Sequence, residues 1–132
     1  MFLLDTDTCI ELARGNPTLI RKFREHRRGD IQVAILTIYE LEVGVRKATL
    51  HKQKKRQAVD DLLQLFAIAP FGHAEACEAA KIRAELEIKG TPINSIDYLI
   101  AGIARFNGWT VITGNQREFR RVKNLKVEKW HA

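Results

Sequence analysis

The chain opens Met1-Phe2-Leu3-Leu4-Asp5-Thr6-Asp7. Phe2 to Leu4 is apolar without alternation, as in a strand buried on both faces, and it stops at three polar residues. Asp5 therefore stands at the carboxyl end of a strand. Thr8-Cys9-Ile10-Glu11 has the capping-box spacing, with Thr8 as N-cap and Glu11 three residues on, so a helix is expected to start there. In open parallel sheets the ligand crevice lies outside the carboxyl ends of the strands, which is where Asp5 and Asp7 would project. Acids and threonines in such a position are also ordinary helix caps, and capping the first helix is the role expected of Asp7.

Working outward, Gly15 is a C-cap, and Asn16-Pro17 opens a second helix expected to end near Gly29. Asp30 to Leu36 is β-branched and partly alternating, a second strand ending at Thr37, and Thr37-Ile38-Tyr39-Glu40 repeats the capping-box spacing before another helix. A polar run from Lys47 to Gln57 leads into a helix around Val59, Leu62, Leu63 and Phe66, then a short third strand before Pro70. His73 to Lys89 is Ala-rich and helical, and Gly90 closes it. Ser95 caps a helix with apolar positions Ile96, Leu99, Ile100, Ile103 and Ala104, ended by Gly108. Thr110 to Thr113 is a fourth strand and Lys126 to Trp130 a fifth. Strands alternating with helices make a parallel sheet of about five strands covered by helices on both faces, because parallel neighbours need crossover connections. The fold class is α/β.

The 132 residues suit a single domain, 1–132, and 45% hydrophobic and 29% charged residues are those of an ordinary globular protein. No apolar run reaches the length of a membrane span and nothing resembles a signal peptide, so a cytoplasmic protein without a membrane partner is expected. Cys9 and Cys77 fall in apolar helical patterns and are expected in the core. The four histidines show no ligand-like spacing. A net charge of +6 and a pI near 9.6 point to an anionic partner, with nucleic acid the first candidate. Basic residues concentrate at Arg21-Lys22, Arg24 to Arg28, Lys52 to Arg56 and Arg117 to Lys123, although each run also fits a solvated helix face.

Three acids share one situation: Asp5 past the first strand, Glu40 in the first turn after the second, and Asp97 in the first turn of the helix preceding the fourth. Singly, each is explained as a cap or as an acid favoured by the helix dipole. Converging, two carboxylates about 4 Å apart repel by roughly 4 kcal/mol at an effective dielectric near 20, a cost that a cation removes. Oxygen-only ligation selects Mg²⁺ or Mn²⁺, which meet substrate phosphates and support phosphodiester hydrolysis. The acids of the His73 to Lys89 helix are expected to be exposed surface acids, with an approach of Glu85 to the site as the alternative.

These motifs resemble a known family. LLDTDTCI, residues 3–10, resembles the LLDTN opening of PIN-domain proteins, and LTIYELEVGV, residues 36–45, resembles their second motif. The carboxyl-terminal stretch from Gly90 to Trp130 closely resembles VapC-type toxins. The resemblance implies a central parallel sheet, Mg²⁺- or Mn²⁺-dependent endoribonuclease activity on structured RNA such as transfer RNA, neutralisation by a cognate antitoxin, and a homodimer within a higher toxin-antitoxin assembly. It places Asp5, Glu40 and Asp97 as catalytic acids, with Asp5 and Asp97 on the metal, and Thr6, Asp7, Thr113 and Asn115 as supporting residues. Glu42 competes with Glu40, but two residues apart on a helix they point in nearly opposite directions, and Glu40 stacks over Gly44 as the motif requires. The chain departs from the pattern at Asp7, where many members have Asn, and at Asn115, where many have a fourth acid. A non-catalytic nucleic-acid-binding subunit and a DNA-directed structure-specific nuclease are the alternative readings.

Overall fold

The computed structural model describes residues 1–131. The elements run β1 (Phe2–Leu4), α1 (Thr6–Ala13), α2 (Pro17–Arg24), β2 (Ile31–Ala34), α3 (Ile35–Lys47), α4 (Lys52–Leu63), β3 (Ala67–Ala69), α5 (His73–Ile88), α6 (Ser95–Asn107), β4 (Thr110–Ile112), α7 (Gln116–Phe119) and β5 (Lys126–Glu128). All strand pairings are parallel, in the order β3-β2-β1-β4-β5. The fold class is α/β, as expected.

The apolar run that opens the chain becomes the central strand, and its two leucines serve two cores. Leu3 packs with Ile82, Ile100, Val111 and Phe119 on the side of α5 and α6. Leu4 packs with Cys9, Leu41, Val59 and Ile112 on the side of α1, α3 and α4. Successive strand side chains point to opposite faces, so a strand buried on both sides must be apolar throughout. On the first side α5 and α6 cross so closely at Gly102 that a Cβ there would stand 2.7 Å from the Ala79 Cβ. Among the described residues no helix is long and apolar enough to cross a membrane.

The chain steps outward from β1 to β2 to β3, then returns through α5 and α6 to place β4 on the other flank of β1. The strand order therefore reverses between β1 and β4. In such sheets this is where the connections leave toward opposite faces and open a crevice.

Several boundaries differ from those expected. Asp5, not Thr8, is the N-cap of α1, so neither Thr8 nor Asp7 caps that helix. The β2 strand ends at Ala34 and α3 begins at Ile35 with no side-chain cap, which puts Glu40 in the second turn. The Thr37 hydroxyl lies 3.2 Å from that of Thr6 and is engaged across to α1, not with its own helix end. Helix α2 ends at Arg24, short of Gly29, and a 3-10 turn at Arg28–Asp30 follows. Asn94, one residue before Ser95, caps α6 through its side chain. The fourth strand ends at Ile112 and the fifth at Glu128. Helix α7 was not expected at all. Cys9 is in the core, but Cys77 is exposed, its sulfur 3.8 Å from His73 Nδ1.

Candidate active site at the carboxyl ends of β1 and β4

Asp5 follows β1 directly and is only 3% exposed. Its Oδ1 accepts the Thr8 N–H at 2.8 Å, and its Oδ2 accepts the Thr113 hydroxyl, which stands just past β4. The Asn115 N–H in turn donates to Thr113 Oγ1 at 2.8 Å, leaving that hydroxyl's proton for Asp5. The two strand ends at the switch point are thus joined through one carboxylate. Thr8 adds a second tie, its hydroxyl donating to the Ile112 carbonyl at 3.1 Å. Burial nevertheless outweighs these hydrogen bonds and holds the Asp5 carboxyl above its ordinary pKa.

Asp97 stands in the first turn of α6. Burial first, then the charges of Asp5, Glu118, Glu40 and Asp7, push its carboxyl up to about 7. Asp5 and Glu40 therefore lie within electrostatic reach of Asp97. Glu40 reaches it from α3, fixed by the Thr6 hydroxyl, which donates to Glu40 Oε1. Glu42 faces elsewhere and accepts from the two terminal guanidinium nitrogens of Arg56 at 2.7 Å, a pairing that lowers its pKa. Glu85 does not approach the site; its carboxylate lies 3.7 Å from Arg105.

Sequence reasoning missed Glu118. It sits in α7, its carboxylate accepts the Asn115 Nδ2–H at 2.9 Å, and its charge raises the Asp97 pKa. The signal was there: Asn115 and Glu118 have N-cap and N3 spacing, which announces a short helix carrying an acid. Asn115, the point at which the chain departs from the pattern it resembles, therefore holds an acid through its side chain.

Among the described residues none of Asp5, Asp7, Glu40, Asp97 and Glu118 forms an ion pair. Nor do three acidic, histidine or cysteine side chains there form a ligand set by themselves. Clustered carboxylates without a side-chain cation fit a hard divalent ion that takes one or two of them and keeps much of its water. Two depressions flank the cluster. One, of about 500 Å³, runs along Ile10, Leu41, Gly44 and Val59 from Glu40 to Lys54. The other, of about 590 Å³, is lined by Asp7, Asn16, Gly114, Asn115 and His131.

The PIN domain family model matches residues 2–125. The tRNA(fMet)-specific endonuclease VapC of Salmonella typhimurium is 33% identical over 129 residues, covering 98% of this chain and 97% of that protein. Among solved structures, the DNA-bound VapBC of Salmonella typhimurium superposes with a TM-score of 0.90 at 32% identity, over 98% of this chain and 97% of its own. VapBC2 of Rickettsia felis, bound to a DNA fragment from its promoter, gives a TM-score of 0.90 at 27% identity, over 98% of each chain. With the acids gathered at the switch point and the family model spanning nearly every element, the chain belongs to the PIN domain family.

Proposed function

We propose that residues 1–132 act as one PIN domain, the endoribonuclease toxin of a toxin-antitoxin pair, which cleaves structured RNA with Mg²⁺ or Mn²⁺. The observation that carries this reading is the carboxylate cluster at the β1–β4 switch point, unneutralised by any side-chain cation among the described residues, in a chain of net charge +6. A protein that only bound nucleic acid would have no use for such a cluster facing phosphates, since it repels them.

In this reading Asp5 and Asp97 hold the ion, with Glu40 and Glu118 beside them. The ion, when bound, supplies an activated water and offsets charge developing on the phosphate. The chain's own residues do the positioning. Thr113 orients Asp5 through Oδ2, Thr6 orients Glu40, and Asn115 orients Glu118. Asp97 carries a proton for much of the time at neutral pH when no cation is present, because ionising it beside four acids is unfavourable. The basic runs hold the RNA backbone.

Transfer RNA is the substrate we propose, by likeness to the Salmonella endonuclease. A cognate antitoxin is the partner, by likeness to the VapBC complexes, and the exposed Ile35, Tyr39 and Val43 along α3 support a homodimer within that assembly. The test is to incubate the protein with total transfer RNA and with single- and double-stranded DNA, with Mg²⁺, Mn²⁺ or chelator. RNA cleavage that needs the metal is expected. Cleavage persisting in chelator would refute the metal mechanism, and preferential cleavage of DNA would favour a DNA-directed nuclease.

A further inference from the structure

We propose that the crevice lined by Asp7, Asn16, Gly114, Asn115 and His131 is a subsite for one unpaired RNA base next to the scissile bond, with the His131 ring as its stacking platform. The inference rests on the RNA-cleaving reading above and adds a substrate contact outside the acid cluster.

His131 lies beyond the residues matched by the family model, so nothing in the PIN pattern assigns it a role. It is held in place by its neighbour. Trp130 is 4% exposed, stacks on the His26 ring with centroids 4.6 Å apart and planes 3° from parallel, and meets Phe2 edge-on at 5.1 Å. Trp130 is thereby pinned against Phe2 of β1, and the next residue carries an imidazole to Gly114, just past the end of β4. The Nε2–Cε1 edge of that ring abuts Gly114: a Cβ on Gly114 would stand 2.7 Å from His131 Nε2 and 3.0 Å from Cε1. Gly114 sits between Thr113, which holds Asp5, and Asn115, which holds Glu118. The glycine makes room for a flat ring one residue from both ties to the acid cluster. His131 Nδ1 is buried without a hydrogen-bond partner among the described residues.

The charge of the crevice decides between a phosphate and a base. Glu11 and Arg14 also line it and pair with each other at 3.1 Å, so the remaining formal charge is the carboxylate of Asp7. A phosphate would meet repulsion there. A base is neutral, and the polar groups suit its edge. Asn16 Oδ1 accepts the Leu19 N–H, which leaves the Asn16 amide nitrogen to donate. Asn115 Nδ2 is committed to Glu118, which leaves its Oδ1 to accept, together with Asp7. Donor and acceptors around an aromatic face are how proteins read unstacked RNA bases.

The experiment measures binding of a fluorescein-labelled single-stranded RNA oligonucleotide in an Asp97→Asn background, where cleavage does not interfere, and the steady-state cleavage constants with Asp97 intact. His131→Ala should weaken binding and raise KM roughly tenfold, with kcat changed by less than about twofold and the melting temperature unmoved. His131→Phe should restore both quantities because it restores a stacking face, whereas His131→Gln should not. Gly114→Ala, which displaces the ring, should reproduce the loss and add nothing to His131→Ala in the double variant. Unchanged binding in His131→Ala, rescue by Gln but not by Phe, or a loss that only follows a fall in melting temperature would overturn the subsite. A wild type that binds this RNA but cleaves neither it nor total transfer RNA would sink the nuclease reading instead, and the binding series would still decide the subsite.

Discussion

Glu40 and Glu42 stand two residues apart on α3, and their surroundings are opposite. Glu42 is held by the two terminal nitrogens of Arg56, which also bonds Asp60 at 2.8 Å, and lies 3.8 Å from Arg46, so two acids and two bases on α3 and α4 form a neutralised cluster. Glu40 is held by a threonine hydroxyl, acts on Asp97 as a neighbouring acid, and forms no ion pair among the described residues. A carboxylate with a bidentate guanidinium is a structural element, since its charge is already satisfied. A group of carboxylates held by hydroxyls and backbone N–H groups keeps its geometry and its unspent charge, and that combination suits a cation-dependent site.

The largest effect that can break this comparison is at Asp97. Asp97→Asn keeps size and removes one charge, and RNA cleavage should fall by roughly two orders of magnitude or more while RNA binding survives. Cleavage at the wild-type rate in that variant would remove Asp97 from the active site and reopen the non-catalytic binding reading.

A sharper test substitutes the two glutamates in parallel. Glu40→Gln should lose most of its cleavage at little cost in stability, because glutamine still accepts the Thr6 hydroxyl. Glu42→Gln should cleave normally and lower the melting temperature modestly, since it weakens a partly exposed ion pair. Swapped outcomes would mean that the neutralised cluster, not the open one, carries the chemistry.

The smallest effect is a pH dependence of stability in chelator. The Asp97 carboxyl is raised in the folded state from 3.8 to about 7, so between those values the folded protein binds more protons than the unfolded chain. Stability from this group therefore falls as pH rises through that window, with the full penalty present above about 7. The raised Asp5 carboxyl acts in the same direction. The melting temperature of the metal-free protein should be lower near pH 8 than near pH 5, and Asp97→Asn should flatten part of that slope. A slope identical in wild type and variant would show that Asp97 is not the group under repulsion.

Much of the architecture was legible because it rests on local rules. The unalternating run at Phe2–Leu4, the glycines closing α5 and α6 and the apolar period of α6 each act within a few residues, and the structure follows them. Boundaries slipped where a side chain had a better partner far away in sequence. Thr8 reads as a cap until its hydroxyl is seen to donate to Ile112, and Thr37 until it meets Thr6. Cys77 shows the same limit, because an Ala-rich helix leaves little contrast between its buried and exposed faces.

By itself, the sequence determined that strands and helices alternate, that acids follow strand ends, and that the chain is basic, since composition and periodicity are properties of the chain alone. Tertiary structure alone decided which acids act together. Asp5, Glu40, Asp97 and Glu118 lie on different elements, and only the return of the chain to the free flank of β1 sets their charges against one another. The same holds for Arg56, which neutralises Glu42 and leaves Glu40 open, and for His131, which reaches Gly114 only because Trp130 is buried against Phe2 and His26. Electrostatic coupling depends on distance through space, and no local pattern encodes which distant charges a fold will bring within reach.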